Sequence, residues 1–326
     1  MHRRVVNEAV LALTLWPEGP VLIKAAEAGT DPTRPDVEFV RTRGTGGESV
    51  YLPGSSLKGV LRAHSERLAR TLGGEAPDGA PRLSCNPLSS AAEGPNYACS
   101  ARLRRLAPRE LTGERVYRQS CFICQLFGNQ ALASHLRVAD ARPVGAVEVE
   151  QRASIAIDRI YGSAALGPFT YEAVTGGRFQ TQITVRNFSL AQLGLLALVL
   201  RDLGEGRLFL GFGKSRGFGQ VGVAVQRVVF RYPGCTLRGG ALASRAGATI
   251  GPANQVYGAG MFPGTGGYGF PTPDTAPLPP EAAVAEDGWG TVEARLDADP
   301  PAALTALWQA CVGRWTDWVQ ACVEGG

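Results

Sequence analysis

Lysine is nearly missing from this 326-residue chain: of 33 basic side chains only Lys24, Lys58 and Lys214 are lysines, and two of them sit beside glycines and serines. Charged residues are scarce at 19%, and histidine is confined to His2, His64 and His135. No run of about eighteen apolar residues exists, which excludes a membrane-spanning helix. The opening Met1-His2-Arg3-Arg4, followed by an alternating segment, lacks the apolar stretch of a signal peptide. A soluble cytoplasmic protein without a membrane partner is expected. Apolar residues reach 44%, so disorder of the whole chain is excluded and a sizeable core is available. The length suits one large domain, or a domain with an extension.

What is present is unevenly distributed. Residues 1–232 carry 29 basic and 20 acidic groups, a balance of +9, whereas 233–326 carry 4 and 9, a balance of −5. The basic part is the candidate for a polyanion partner, a weak signal taken alone. The 42 glycines and 22 prolines mark a loop-rich chain.

Val5–Leu15 alternates as a strand with one buried face. Asp36–Arg43 and Glu48–Pro53 read as a hairpin around a glycine turn. Ser55-Ser-Leu-Lys-Gly opens a helix to about Leu72, with a serine available as N-cap. Residues 73–135 read as an irregular insertion, rich in arginine. Strands are expected at 136–144, 147–158 and 178–188, then a Ser189-capped helix, a glycine loop at 211–219 and a strand from Val221. This order predicts an α+β, ferredoxin-like core over 1–232. Residues 239–290 lack periodicity and read as a linker. A closing helix carries Leu304, Trp308, Cys311, Trp315, Val319 and Cys322 on one stripe, a docking face for its own domain or for a neighbouring subunit.

Three segments carry chemistry. Gly211-Phe-Gly-Lys-Ser-Arg-Gly-Phe-Gly219 lets backbone approach a phosphate while Lys214, Ser215 and Arg216 supply donors; a structural glycine turn is the equal alternative. Pro53-Gly-Ser-Ser-Leu-Lys-Gly offers a helix N-terminus with Ser55, Ser56, Lys58 and Arg62 around it, or simple capping. Cys85, Cys99, Cys121 and Cys124, spaced Cys-x13-Cys-x21-Cys-x2-Cys, have the makings of one structural Zn2+ site, with His135 or His64 as substitute ligands. Cys235, Cys311 and Cys322 read as core or docking residues.

Pro53-Gly-Ser-Ser-Leu-Lys-Gly-Val-Leu-Arg, Cys124-Gln-Leu-Phe-Gly-Asn, Ala156-Ile-Asp-Arg-Ile-Tyr-Gly-Ser-Ala and the glycine loop occur in the order seen in RAMP-superfamily proteins. The chain most resembles backbone subunits of type III CRISPR effector complexes, the Csm/Cmr-type family with its type III-D and III-E relatives. The resemblance covers 1–232 and not 233–326. It implies an RRM-like palm with inserted subdomains, stacked along a CRISPR RNA beside other backbone and CRISPR-associated subunits.

It further implies that Ser55, Ser56, Lys58, Arg62, Lys214, Ser215 and Arg216 hold guide phosphates. Residues 157–179 would form a thumb in the guide–target duplex, with Asp158 and Arg159 at a phosphate and Tyr161, Leu166, Pro168 and Phe169 against a displaced base. Catalytic relatives cut target RNA with an aspartate before the Pro-Gly-Ser-Ser motif. Here that is Asp36, with Asp31 in reserve, assisted by Mg2+ or a similar divalent cation. Two alternatives stand: a non-catalytic backbone subunit, and a guide-precursor processing ribonuclease, which the three histidines support poorly.

Overall fold

The computed structural model describes residues 4–25, 35–44, 47–73, 83–89 and 98–324, so Asp31 lies outside the described residues. Strand β1 (Glu8–Pro17) leads to the hairpin β2 (Arg41–Gly44) and β3 (Gly47–Val50), then helix α1 (Gly54–Thr71). Short helices α2 (Cys99–Leu103), α3 (Gly113–Arg118) and α4 (Phe122–Phe127) precede β4 (Leu136–Val138), β5 (Arg142–Ile157) and β6 (Ala164–Arg186). Helix α5 (Leu190–Gly204) and strand β7 (Val221–Pro233) follow. Beyond them come β8 (Cys235–Arg238), β9 (Ala241–Ser244), β10 (Thr249–Pro252), β11 (Gln255–Tyr257), β12 (Thr275–Pro277), β13 (Ala283–Glu286), β14 (Thr291–Asp297) and helix α6 (Pro301–Glu324).

The central sheet is antiparallel in the order β13-β14-β7-β1-β6-β4, and β5 also pairs with β6. Its inner face follows from alternation: Ala9, Leu11, Leu13 and Leu15 of β1 are buried, as are Ile183 and Val185 of β6. Leu57 and Leu61 of α1 and Leu200 and Leu203 of α5 close over that face. Arg178, Gln180, Gln182 and Arg186 of β6 point to solvent from the other.

Helix α5 is apolar almost all round because it is covered twice, by the sheet and by α6. Ser189 caps it in a capping box with Gln192, as its sequence predicts. Gly194 is what lets α6 approach: a Cβ there would lie 2.1 Å from the carbonyl oxygen of Cys311. The stripe of Leu304, Cys311, Trp315, Val319 and Cys322 is thus buried within the chain. The stripe docks on its own domain, with Trp308 half-buried beside it.

Three further expectations need correcting. No serine caps α1: Pro53 occupies the N-cap without a side-chain bond, and the carboxylate of Asp140 accepts the Gly54 N–H at 2.8 Å. Gly54 is buried against β4, where a Cβ would lie 2.3 Å from the Val138 carbonyl oxygen. The strands expected at 147–158 and 178–188 are longer than predicted: β5 runs unbroken over Arg142–Ile157, and β6 begins at Ala164 and pairs with it from Ile157↔Ala164 to Arg142↔Gln180. Residues 239–290, expected as a linker, hold the five short strands β9 to β13, and β14 beyond them lies beside β7 in the central sheet with Val292, Ala294 and Leu296 buried.

Candidate nucleic-acid interface and metal centre

The four cysteines meet. The Sγ atoms of Cys85, Cys99, Cys121 and Cys124 all lie within 4.8 Å of one another, and all four residues are buried. Cys85 and Cys124 stand 3.7 Å apart at sulfur. A tetrahedron of metal–sulfur bonds about 2.3 Å long has edges of about 3.8 Å, so the cage has the size of a tetrathiolate metal centre. Backbone amides point at the sulfurs: Cys85 N–H at Cys121 Sγ (3.3 Å), Cys121 N–H at Cys99 Sγ (3.2 Å) and Cys124 N–H at Cys121 Sγ (3.4 Å). Hydrogen bonding with Cys121 draws the Cys85 and Cys99 thiols below their ordinary range, while burial raises Cys121. The cluster could hold a metal ion.

Neither histidine joins it. His135 is buried and stacked on Tyr117, with ring centroids 5.4 Å apart, and His64 Nε2 pairs with Asp202 Oδ2 at 2.8 Å.

Helix α1 supplies cations to the cage. Arg62 Nη2 reaches Cys124 Sγ at 3.8 Å and Nη1 donates to the Gly128 carbonyl at 3.1 Å. Glu66, almost fully buried, accepts from Arg62 Nε at 2.9 Å and from Arg70 at 2.9 Å, and Arg70 also donates to the Cys85 carbonyl at 3.0 Å. Four thiolates around a divalent ion carry net negative charge, which these guanidiniums offset. Arg62 therefore faces inward. Lys58 does too: its ammonium donates to Ser134 Oγ at 2.8 Å and to the Leu136 carbonyl at 3.1 Å, and burial, then the charge of Arg62, lowers its pKa. Of the α1 segment, Ser55 is exposed and Ser56 half-buried.

Asp36 lies on the outer surface, fastened to β6. Its Oδ2 accepts the Thr170 N–H at 2.7 Å and the Thr170 hydroxyl at 3.1 Å, and the Asp36 N–H donates to Thr170 Oγ1 at 3.2 Å. The amide of Thr170, then its hydroxyl, holds the carboxyl below the usual range, so it is ionised at neutral pH. Residues 21–25 run antiparallel to 37–40, Val21 pairs with Val174 and Val37 with Tyr171, so this segment lies against the middle of the hairpin.

The glycine loop joins the same place. Gly211 sits where a Cβ would lie 2.2 Å from the Leu22 carbonyl oxygen, with φ of +82°, and Phe212 N–H donates to that oxygen at 2.7 Å. Phe218 packs edge-on against Tyr171 at 5.5 Å. Two consecutive residues of β6, Thr170 and Tyr171, thus touch the Asp36 segment and the glycine loop respectively. Lys214, Ser215 and Arg216 form an exposed turn at the tip, where the Arg216 guanidinium lies 5.3 Å from the ring of Phe212.

At the far end of the β5–β6 hairpin, Asp158 Oδ1 accepts the N–H groups of Ile160 (2.7 Å) and Tyr161 (2.8 Å), which sets the turn and lowers its pKa. Ile160 and Tyr161 are each 83% exposed, and Arg159 is exposed between Asp158 and these two. Asp158 is engaged in building the tip, leaving Arg159 as the exposed cation beside it.

A family model described as the RAMP superfamily matches residues 18–222, more than half of the chain. The chain belongs to the RAMP superfamily. Members bind CRISPR RNA and partner Cas subunits and include some ribonucleases, so membership fits a CRISPR-associated RNA-binding role. No curated protein matches the chain. Among the described residues, no helix is long and apolar enough to cross a membrane.

In this RAMP protein the matched region holds the glycine loop, helix α1, the four cysteines and the hairpin. Sequence reasoning missed the residues that hold the site together. Thr170 and Asp140 lie 134 and 86 positions from their partners, and Glu172, which takes Arg41 through both carboxylate oxygens and the Phe39 N–H, lies 131 from Arg41. None has a local signal, because each is selected by strand pairing.

Proposed function

We propose that this RAMP protein is a CRISPR RNA-binding backbone subunit of a type III interference complex that cleaves guide-paired target RNA at Asp36. The observation that carries this reading is the fixed, ionised carboxylate of Asp36 on Thr170, midway along the long hairpin, in the same contact network as the Lys214–Arg216 turn. The order β1-α1-β4-β6-α5-β7, with sheet order β7-β1-β6-β4, supports an RRM-like palm, and β5–β6 supports the thumb.

Guide phosphates are assigned to Ser55, Ser56, Lys214, Ser215, Arg216 and, at the thumb tip, Arg159. Lys58 and Arg62 shape this surface from beneath. Tyr161, on the exposed tip, stacks on a base displaced from the duplex.

Cleavage uses the RNA's own nucleophile. Asp36 holds the ribose 2′-hydroxyl in line with the adjacent phosphorus, the 2′-oxygen bonds to phosphorus, its proton leaves to solvent, and the 5′-oxygen departs with a proton. The products are a 2′,3′-cyclic phosphate and a 5′-hydroxyl. A divalent cation such as Mg2+, held by Asp36 and RNA phosphate oxygens, would supply charge stabilisation at the phosphate. Zn2+ is the metal assigned to Cys85, Cys99, Cys121 and Cys124, where it staples α2–α4 to α1.

The second reading is a non-cutting backbone subunit, favoured by one observation: the bonds to Thr170 already give Asp36 a tethering role. The test is cutting of guide-matched RNA by the assembled complex with Asp36→Ala. Lost cutting with unchanged assembly supports the first reading, and cutting that persists moves the chemistry to Asp31 or another subunit.

A further inference from the structure

Outside the family match, a cavity of about 270 Å3 opens between the N-terminal residues and the C-terminal strands, lined by Arg4, Val5, Pro233, Ser244, Arg245 and Phe262 among others. Among the described residues, its charged lining groups are two guanidiniums, without a carboxylate. Each guanidinium rests over a glycine. Nη1 of Arg4 lies 2.6 Å from where a Cβ on Gly264 would stand, and Nη2 of Arg245 lies 2.7 Å from that of Gly290. Any side chain at either glycine would push the arginine away.

Backbone bonds fix the rim. Arg245 N–H donates to the Gly234 carbonyl and Gly234 N–H to the Gly290 carbonyl, both at 2.9 Å. Ser244 Oγ accepts the Ala248 N–H at 3.1 Å, which leaves its proton to donate. Glu286, the acid whose charge Arg245 feels, is itself engaged by the Thr236 hydroxyl and by the Leu237 N–H at 2.7 Å. Beside Gly290 stands Trp289, 94% exposed on a turn that Asp287 Oδ1 fixes through the N–H groups of Trp289 (2.7 Å) and Thr291 (2.9 Å). An indole so fully exposed on a rigid turn is a ready stacking platform.

We propose that this cavity binds a nucleoside 5′-monophosphate, free or as the phosphorylated end of an RNA strand. Arg4 and Arg245 take the phosphate through their planar forks, Ser244 adds a donor, and Trp289 stacks on the base. The volume, just below the usual range of small-ligand sites at about 300–1,000 Å3, suits the ribose phosphate, with the base outside the lining against Trp289. The apolar wall of Val5, Pro233 and Phe262 distinguishes the site from a bare anion seat.

The test titrates the full chain with AMP, adenosine, inorganic phosphate, and a short RNA bearing either a 5′-phosphate or a 5′-hydroxyl, following tryptophan fluorescence and calorimetry. Expected are saturable AMP binding, at least tenfold weaker binding of adenosine and of phosphate, and loss of the fluorescence response in Trp289→Leu. Arg4→Ala and Arg245→Ala each weaken AMP at least tenfold without moving the melting temperature, and Arg245→Lys recovers only part. A tenfold preference for the 5′-phosphate RNA over the 5′-hydroxyl RNA assigns the site to an RNA end, and binding of AMP alone assigns it to a free nucleotide. Absence of AMP binding, or equal binding by the Arg4→Ala/Arg245→Ala double variant, overturns the proposal.

Discussion

The carboxylate of Asp36 accepts two hydrogen bonds from Thr170, one from the amide at 2.7 Å and one from the hydroxyl at 3.1 Å. They keep the carboxylate charged and fix it midway along the hairpin. Thr170→Val removes the hydroxyl and leaves the amide, so the Asp36 pKa rises part of the way back to its ordinary value. The acid limb of the cleavage pH profile then moves upward while the plateau changes little. A pH–rate series on both proteins reads this directly.

The cysteine cage predicts one zinc per chain by metal analysis. Cys124→Ser and Cys85→Ser lose the metal and unfold the 98–135 region, seen as new proteolytic cuts between α2 and α4. Arg62→Ala keeps all four ligands but removes the cation beside Cys124, weakening metal retention against a chelator about 10–100-fold.

Asp274 predicts an unusual pH dependence of stability. It is buried, Oδ1 accepts the Leu190 N–H at 3.0 Å, Oδ2 has no hydrogen-bond partner among the described residues, and burial pushes its pKa up to about 7. Unfolded, it titrates near 3.9. Between these values the folded chain binds more protons than the unfolded one, so this group makes stability fall as pH rises from about 4 to 7 and level off above. The depressed carboxylates Asp202 and Asp297 act at lower pH. Asp274→Asn removes the decline, so its advantage in melting temperature over the wild type grows from pH 5 to pH 8.

Gly194→Ala forces a methyl into the α5–α6 contact, 2.1 Å from the Cys311 carbonyl oxygen. The two helices must separate, at a cost of about 1–3 kcal/mol. Denaturant midpoints check this, and Gly313→Ala on the open side of α6, where nothing lies within 4 Å, is the control: it gains the helix propensity of Ala without the clash and is expected to be neutral to stabilising.

Lys214→Ala with Arg216→Ala weakens guide RNA binding by removing two exposed cations. The slope of log affinity against log salt falls by about 0.7 for each phosphate that is no longer neutralised. Lys58→Ala instead lowers stability with little change in that slope, because its ammonium is engaged by Ser134 and Leu136.

The cysteine motif was legible because Cys121 and Cys124 are one knuckle and because the insertion needed an anchor. The glycine loop was legible as a glycine turn, and the structure shows one: Gly211, Gly213, Gly217 and Gly219 all have positive φ. The length of the hairpin was only partly legible: a strand was expected at 147–158, but nearly every residue of β5 is exposed, and the reach of β6 through 164–177 has no signal of its own. The strands of 239–290 run three or four residues each and are ordered by their pairing partners, which composition does not encode. Lys58 and Arg62 read as ligands for RNA because a helix sequence does not say which neighbours meet each face.

Asp36→Asn, assembled with guide RNA and given matched target with Mg2+, is the most direct measurement. The amide oxygen still accepts the Thr170 N–H, so position is kept and only charge is removed. Site-specific cutting is expected to disappear while guide content and target binding stay at wild-type levels; cutting at the wild-type rate would rule out chemistry at Asp36.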